Sequence, residues 1–193
     1  MVDDKAKEIQ DRARFVETTE KVLEQERAVA KEIAEQCQRL FDAAIPALRK
    51  SIAKMKRLTK VEMTELKSIK RPSPAVASML KCVCVMLKVP PKKIKSGDTY
   101  TMDWWAAAAS PKVLGNPQII DKLAGFDPDN LDVEMMRKVK AVMDSTGDVN
   151  DANIGKACKA AKGIYRWLTA LTGYYYVYEE NKPRRDALLL AQV

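Results

Sequence analysis

The 193 residues carry 34 Lys/Arg against 26 Asp/Glu and no histidine. The missing histidine excludes Ser-His and Cys-His nucleophile pairs and His-ligated zinc, and the four cysteines (Cys37, Cys82, Cys84, Cys158) include no C-x-x-C spacing. The charge is uneven: residues 1–46 hold 8 Lys/Arg and 11 Asp/Glu, whereas residues 47–193 hold 26 and 15. The basic downstream part therefore suits an acidic polymer, an acidic protein surface or an anionic membrane.

The opening MVDDKAKEIQDR is charged from the start, which predicts no signal peptide. The longest apolar run, Ala75–Leu87, contains Lys81 and is too short to span a bilayer. Buried free thiols in a reducing compartment are expected, hence a soluble, intracellular chain.

From about Asp3 to Leu58 there is no glycine, and Ile9, Val16, Leu23, Ala30, Cys37 and Ala44 recur at intervals of seven. A second line falls at Arg12, Thr19, Glu26, Ile33, Leu40 and Ala47, polar first and apolar later. This predicts a coiled-coil helix whose seam strengthens toward its C-terminal end. Ala13, Ala34, Phe41 and Leu48 lie one position further round, so the seam is broad enough for more than one register. One fixed register is the simpler expectation. Pro46 removes a backbone donor inside this pattern and predicts a kink near Ile45.

Thr59 with Glu62 reads as a capping box opening a helix over Lys60–Ile69, which ends before Pro72 and Pro74. Around it Lys56, Arg57, Lys60, Lys67, Lys70 and Arg71 face only Glu62 and Glu65. Pro74–Val89 predicts an apolar helix, and Val89–Met102 a lysine-rich loop with a hairpin around Gly97. Asp103 caps a helix through Trp104 and Trp105, read as core anchors, to Ser110. Two turns of helix follow around Ile119, Ile120 and Leu123. Asn130–Met143 predicts a helix with Leu131, Met135, Val139 and Val142 inward.

The final helix is expected to begin about Asp151 and run long. Ala157, Ile164, Leu171 and Tyr178 form one heptad line, and Ala161, Leu168, Tyr175 and Leu189 fall on the next. Tyr174, Tyr175, Tyr176 and Tyr178 are expected to pack across the seam. Pro183 interrupts this helix as Pro46 interrupts the first. One chain that leaves and returns at the same globule needs antiparallel strands. The expected fold is all-α: an antiparallel coiled-coil hairpin, the stalk, capped by a small globular bundle of about six short helices. The divisions fall at 1–58, 59–151 and 152–193. With the prolines level, the first strand outruns the second, so residues 1–30 are expected to lack an in-chain partner. No catalytic constellation, cofactor motif or metal site emerges. Gly155-Lys156 lacks the surroundings of a phosphate loop, and Asp127, Asp129 and Asp132 lack the glycine and closing glutamate of a calcium loop.

Several spaced segments now carry a resemblance: AAIPALRKSIAKMKRLTKVEMTELKS, PSPAVASML, DWW, LAGFDPDNL, the Trp of IYRWLTAL and the Pro of NKPRRDALLLAQ. From Phe41 on, the chain resembles the stalk tip of a dynein heavy chain, a microtubule-binding domain with its flanking coiled coil. The DWW and FDPDN forms resemble axonemal dyneins.

The resemblance implies docking of the first, third and sixth tip helices between α- and β-tubulin. By position it assigns Lys60, Thr64 and Lys67 to the first, and Lys156, Lys159, Lys162 and Arg166 to the last. In the third helix Ala106–Ala109 replace basic residues, leaving Lys112. Pro46 and Pro183 resemble the paired hinge prolines at the domain base. The resemblance further implies a fragment, itself not an enzyme, of a microtubule-dependent ATPase motor in the cytoplasm and cytoskeleton, in a cilium or flagellum axoneme. Its partners would be tubulin and the motor ring, signalled by sliding of the coil through about half a heptad. Without the resemblance, a basic nucleic-acid-binding hairpin or a structural coiled-coil scaffold remain the alternatives.

Overall fold

A glycine-free run of 54 residues forms α1, Val2–Met55, which stays helical through Pro46. The computed structural model describes residues 2–96, 99–145, 147 and 150–191. They divide into two units, one of Met1–Asp42 with Glu179–Val193, the other Ala43–Tyr178. Proline has no N–H, so Pro46 removes the helical donor for the carbonyl of Asp42. Pro183, inside α8 (Lys159–Ala191), does the same to Glu179. Both unit boundaries adjoin a carbonyl deprived in this way.

The buried line on α1 corrects the expected seam. Cys37, Phe41, Leu48, Ser51 and Met55 are buried and Ala44 is half-buried, at alternating spacings of four and three. Leu40 is 47% exposed and Ala47 is exposed. The second line therefore runs through Ala34, Phe41, Leu48 and Met55, one position beyond Ile33, Leu40 and Ala47. The reason is continuity: the first sequence ends on an apolar Met55, whereas the other reaches Lys54. Upstream, Ile9, Phe15, Val16, Val22, Leu23 and Val29 are exposed, as expected for a strand without an in-chain partner.

In the first unit the Cys37 thiol donates to Asn181 Oδ1 at 3.2 Å, joining α1 to α8, and both residues are buried. In the second, Gly163 of α8 lies under Leu58, just past α1. A Cβ at Gly163 would sit 3.2 Å from Leu58 Cδ1.

Among the described residues, six short helices lie between α1 and α8 in sequence. α2 (Lys60–Ser68) begins with the full Thr59–Glu62 capping box. α3 (Pro74–Met86) starts at Ser73 with Pro74 in its first turn, and eight of its 13 residues are buried. It ends in a Schellman closure: Val89 N–H donates to Cys84 O at 2.9 Å and Lys88 N–H to Val85 O at 3.1 Å. That closure forces Lys88 to φ 54°, a region normally left to glycine. The lysine-rich loop is a hairpin, with β1 (Lys92–Ser96) antiparallel to β2 (Thr99–Asp103). Its expected turn at Gly97 lies outside the described residues.

Asp103 caps α4 (Trp104–Ala108) by accepting from Ala106 N–H. α4 stops two residues short of the expected Ser110, in a turn where a Cβ at Gly115 would meet Pro111 Cα at 2.5 Å. Then come α5 (Ile119–Ala124) and α6 (Val133–Ser145), and α6 packs on α3 beside α4. The helix expected over Asn130–Met143 starts later: on α6 Met135, Met136 and Val139 are buried and Val142 is half-buried, while Leu131, also half-buried, lies ahead of the helix.

The expected single helix from Asp151 is two. α7 (Asp151–Gly155) is capped by Asn150, and α8 starts afresh at Lys159. Gly155 favours the stop, Ala157 N–H closes the turn onto Ile154 O at 3.1 Å, and the Cys158 sulfur accepts from Ala161 N–H at 3.4 Å to restart the helix. Along α8, Ala161, Ile164, Leu168, Leu171 and Tyr175 continue a heptad stripe, and Ala160, Trp167 and Tyr174 bury an adjoining one. Two buried stripes suit a helix that is both coil strand and core element. Trp104 and Trp105 are half-buried, and Lys81 lies over the Trp104 ring at 5.6 Å; the fully buried tryptophan is Trp167.

Candidate functional site

Capping geometry sets the face of α2. With Met63 and Leu66 buried, Lys60, Thr64 and Lys67 fall on its exposed side at i, i+4 and i+7. The Thr64 hydroxyl donates to Lys60 O at 2.8 Å, which fixes its rotamer. Among the described residues neither Lys60 nor Lys67 has an ion-pair partner. Their charge is open to solvent.

The second basic set behaves differently. Lys159 Nζ lies 2.6 Å from Glu62 Oε1, while Glu62 Oε2 accepts the Thr59 N–H at 2.8 Å. Arg166 makes a fork on Asp151, Nε to Oδ1 at 2.6 Å and Nη2 to Oδ2 at 2.9 Å. Lys162 joins the same carboxylate at 3.2 Å, its stem crossing Gly155, where a Cβ would stand 3.1 Å from Lys162 Cδ. Three of the four expected cations on this side are therefore paired within the tip. Lys156 is exposed and has no ion-pair partner among the described residues.

These pairs shift the groups in the expected directions. Lys159, then the Thr59 backbone, hold the Glu62 carboxyl below its ordinary value. Arg166, with Lys162, does the same for Asp151. Lys159 and Arg166 are raised by the same partners.

Two openings organise the surroundings. A cleft of about 260 Å³ is lined by Lys54, Arg57, Leu58, Glu62, Lys159, Lys162, Gly163 and Arg166. A broader depression of about 480 Å³ gathers Lys156 with Arg71, Ser73 and Asn153. Lys112, exposed after α4, lines neither. Pro46 lies inside α1 and Pro183 inside α8, in different units. The calcium-like aspartates serve local structure: Asp127 Oδ1 accepts from Asp129 N–H, Asp132 Oδ1 from Glu134 N–H, and Asp129 from the Tyr174 hydroxyl. No helix among the described residues is long and apolar enough to cross a membrane.

A family described as "Microtubule-binding stalk of dynein motor" matches residues 4–193. The chain belongs to this dynein stalk family. The stalk is 31% identical over 178 residues to Dynein axonemal heavy chain 1 of Homo sapiens, covering 90% of this chain and 4% of that one. It is also 31% identical over 149 residues to the Dynein-1-beta heavy chain of the flagellar inner arm I1 complex of Chlamydomonas reinhardtii, covering 77% and 3%. The stalk thus spans a few per cent of the length of these relatives. Among solved structures it is similar to the Microtubule Binding Domain of DYNEIN-C, with TM-score 0.62 and 27% identity over 76% of this chain and 94% of that chain.

Sequence reasoning counted Arg57 and Arg71 in the basic tip without singling them out as site residues, and passed over Lys54 and Val61. Lys54 and Arg57 line the cleft and Arg71 the depression, and Val61, 78% exposed, is an apolar residue on the outer side of α2. Val61 had a legible signal, since it lies one residue from Lys60 and off the Met63–Leu66 face. The sharing of a cleft by Lys54 and Lys162, far apart in sequence, had none.

Proposed function

We infer that this stalk binds microtubules through Lys60, Thr64 and Lys67 of α2 together with Lys156 before α8. Lys159, Lys162, Arg166 and Lys112 form the periphery of that surface. The observation that carries the reading is the exposure of Lys60, Lys67 and Lys156 without ion pairs among the described residues, in a chain whose relatives are axonemal heavy chains. Tubulin is acidic, so long-range attraction speeds encounter, and affinity falls as salt screens it. Exposed contacts of this kind contribute less than ~1 kcal/mol each, which keeps attachment reversible.

The whole protein is an ATPase motor of a cilium or flagellum, and the stalk connects track to motor ring. Pro46 and Pro183 serve as the paired hinges at the base of the microtubule-binding domain. Register change of the coil carries the signal between ring and track. The alternative line of Ile33, Leu40 and Ala47 beside the half-buried Ala34 and the buried Phe41 and Leu48 supports a second packing of the same helix.

Co-sedimentation with microtubules tests the reading. The chain pellets at low salt, and Lys60→Ala with Lys156→Ala reduces pelleting several-fold. Unchanged pelleting of that variant refutes the site. Equal retention by RNA or DNA at the same salt refutes the partner. For the register, disulfide cross-links fixing the coil in each packing change microtubule affinity; identical affinities exclude sliding.

A further inference from the structure

We propose that the cleft between the end of α1 and the start of α8 binds an extended acidic peptide. Five cations line it: Lys54, Arg57, Lys159, Lys162 and Arg166. Only Glu62 and the adjoining Asp151 oppose them, and both are already engaged by Lys159, Lys162 and Arg166. Lys54 and Arg57, on the other wall, are exposed and have no ion-pair partner among the described residues. The cleft thus presents a half-neutralised ring of charge, with its free half at Lys54 in the last turn of α1 and Arg57 just past it.

Size and chemistry choose the ligand. At about 260 Å³ the space is smaller than the ~300–1,000 Å³ usual for small-molecule sites, and fits side chains entering from a strand laid across it. Its floor is apolar, made by Leu58 and Gly163, which suits the methylenes of glutamate. The carboxylates already present show how such groups are held here: a fork from arginine on Asp151 and a short lysine contact on Glu62. Lys54 and Arg57 offer the same two chemistries to an incoming pair. Gly163 keeps the floor open, because any side chain there would crowd Leu58.

The inference rests partly on the track-binding reading, since Lys159, Lys162 and Arg166 belong to both, and the test separates them. Fluorescence anisotropy of a labelled oligoglutamate peptide is measured with the full chain. The peptide binds. Lys54→Ala with Arg57→Ala weakens it roughly ten-fold or more, as loss of two charge-assisted contacts requires. Lys60→Ala with Lys67→Ala changes it by less than about two-fold, since exposed distant charges are screened. All four substituted residues are exposed, and a thermal melt verifies folding.

Absence of binding overturns the proposal, as does equal weakening by the two pairs, which would mean diffuse attraction. Tighter binding of inorganic polyphosphate at matched charge overturns the peptide assignment. If the chain fails to pellet with microtubules while the Lys54/Arg57 dependence persists, the track reading falls and the cleft stands. Pelleting without that dependence sinks the cleft alone.

Discussion

Lys159 Nζ stands 2.6 Å from Glu62 Oε1, so the first turn of α8 is tied to the N-terminal cap of α2. The same carboxylate holds the Thr59 N–H, and one side chain therefore closes a helix and restrains a cation. Glu62→Gln preserves the cap, because glutamine also completes a capping box, and removes the charge pairing. Microtubule co-sedimentation of this variant tightens about two- to five-fold, the range of an exposed ion pair whose lysine is released. Unchanged or weaker binding shows that Lys159 does not reach the track.

Acid weakens the same region. Glu62 and Asp151 both have folded-state values below the ordinary carboxylate range, because Lys159 and Arg166 stabilise their charged forms. As pH falls the unfolded chain takes up protons first. The stabilisation is therefore complete above the ordinary carboxylate range and disappears as pH drops through the lowered values. A thermal-melt series from neutral to acid pH shows Tm falling over that window, and Glu62→Gln with Asp151→Asn flattens the curve.

Thiol chemistry reports on the core of α3. Burial pushes Cys82 up to about 12 and Cys84 up to about 11. Both are fully enclosed, so thiolate is scarce and shielded at pH 8. Ellman's reagent leaves them unmodified in the folded chain and reacts at once in guanidinium. Prompt reaction in the folded state contradicts the packing of α3.

Asn181 is a buried amide in a coil strand, partnered by Cys37. A polar residue at such a position fixes register at a cost in stability. Asn181→Leu accordingly raises Tm and broadens the set of cysteine pairs that cross-link between the strands. A narrower set would mean that the amide does not select the register.

Lys88 holds φ 54° to close α3, a conformation that costs a side chain ~1 kcal/mol or more. Lys88→Gly relieves it and raises stability by up to ~1 kcal/mol in chemical denaturation. A loss of stability shows that the lysine makes compensating contacts.

Elements whose cause is local were legible in the sequence: the Thr59–Glu62 box, Asp103 at α4, the apolar face of α3 and both heptad runs. The hairpin fold followed from those runs. What escaped depended on side-chain competition or on distance. Choosing Phe41 over Leu40 required knowing that Met55, and not Lys54, ends the seam. The interruption after Gly155 depended on Cys158 serving as a cap, a weak role for sulfur. The neutralisation of Arg166 by Asp151 came from α7 folding back beside α8, and no spacing rule foretells that return.

The β1–β2 ribbon has another consequence. Ile94, Tyr100 and Met102 are exposed, and β1 and β2 pair with each other alone in their sheet. A ribbon attached chiefly through α4 contributes little to the core and tolerates changes in length. Its exposed position Tyr100 is thus the natural place to attach a fluorophore, giving a reporter carried by the tip but outside its core.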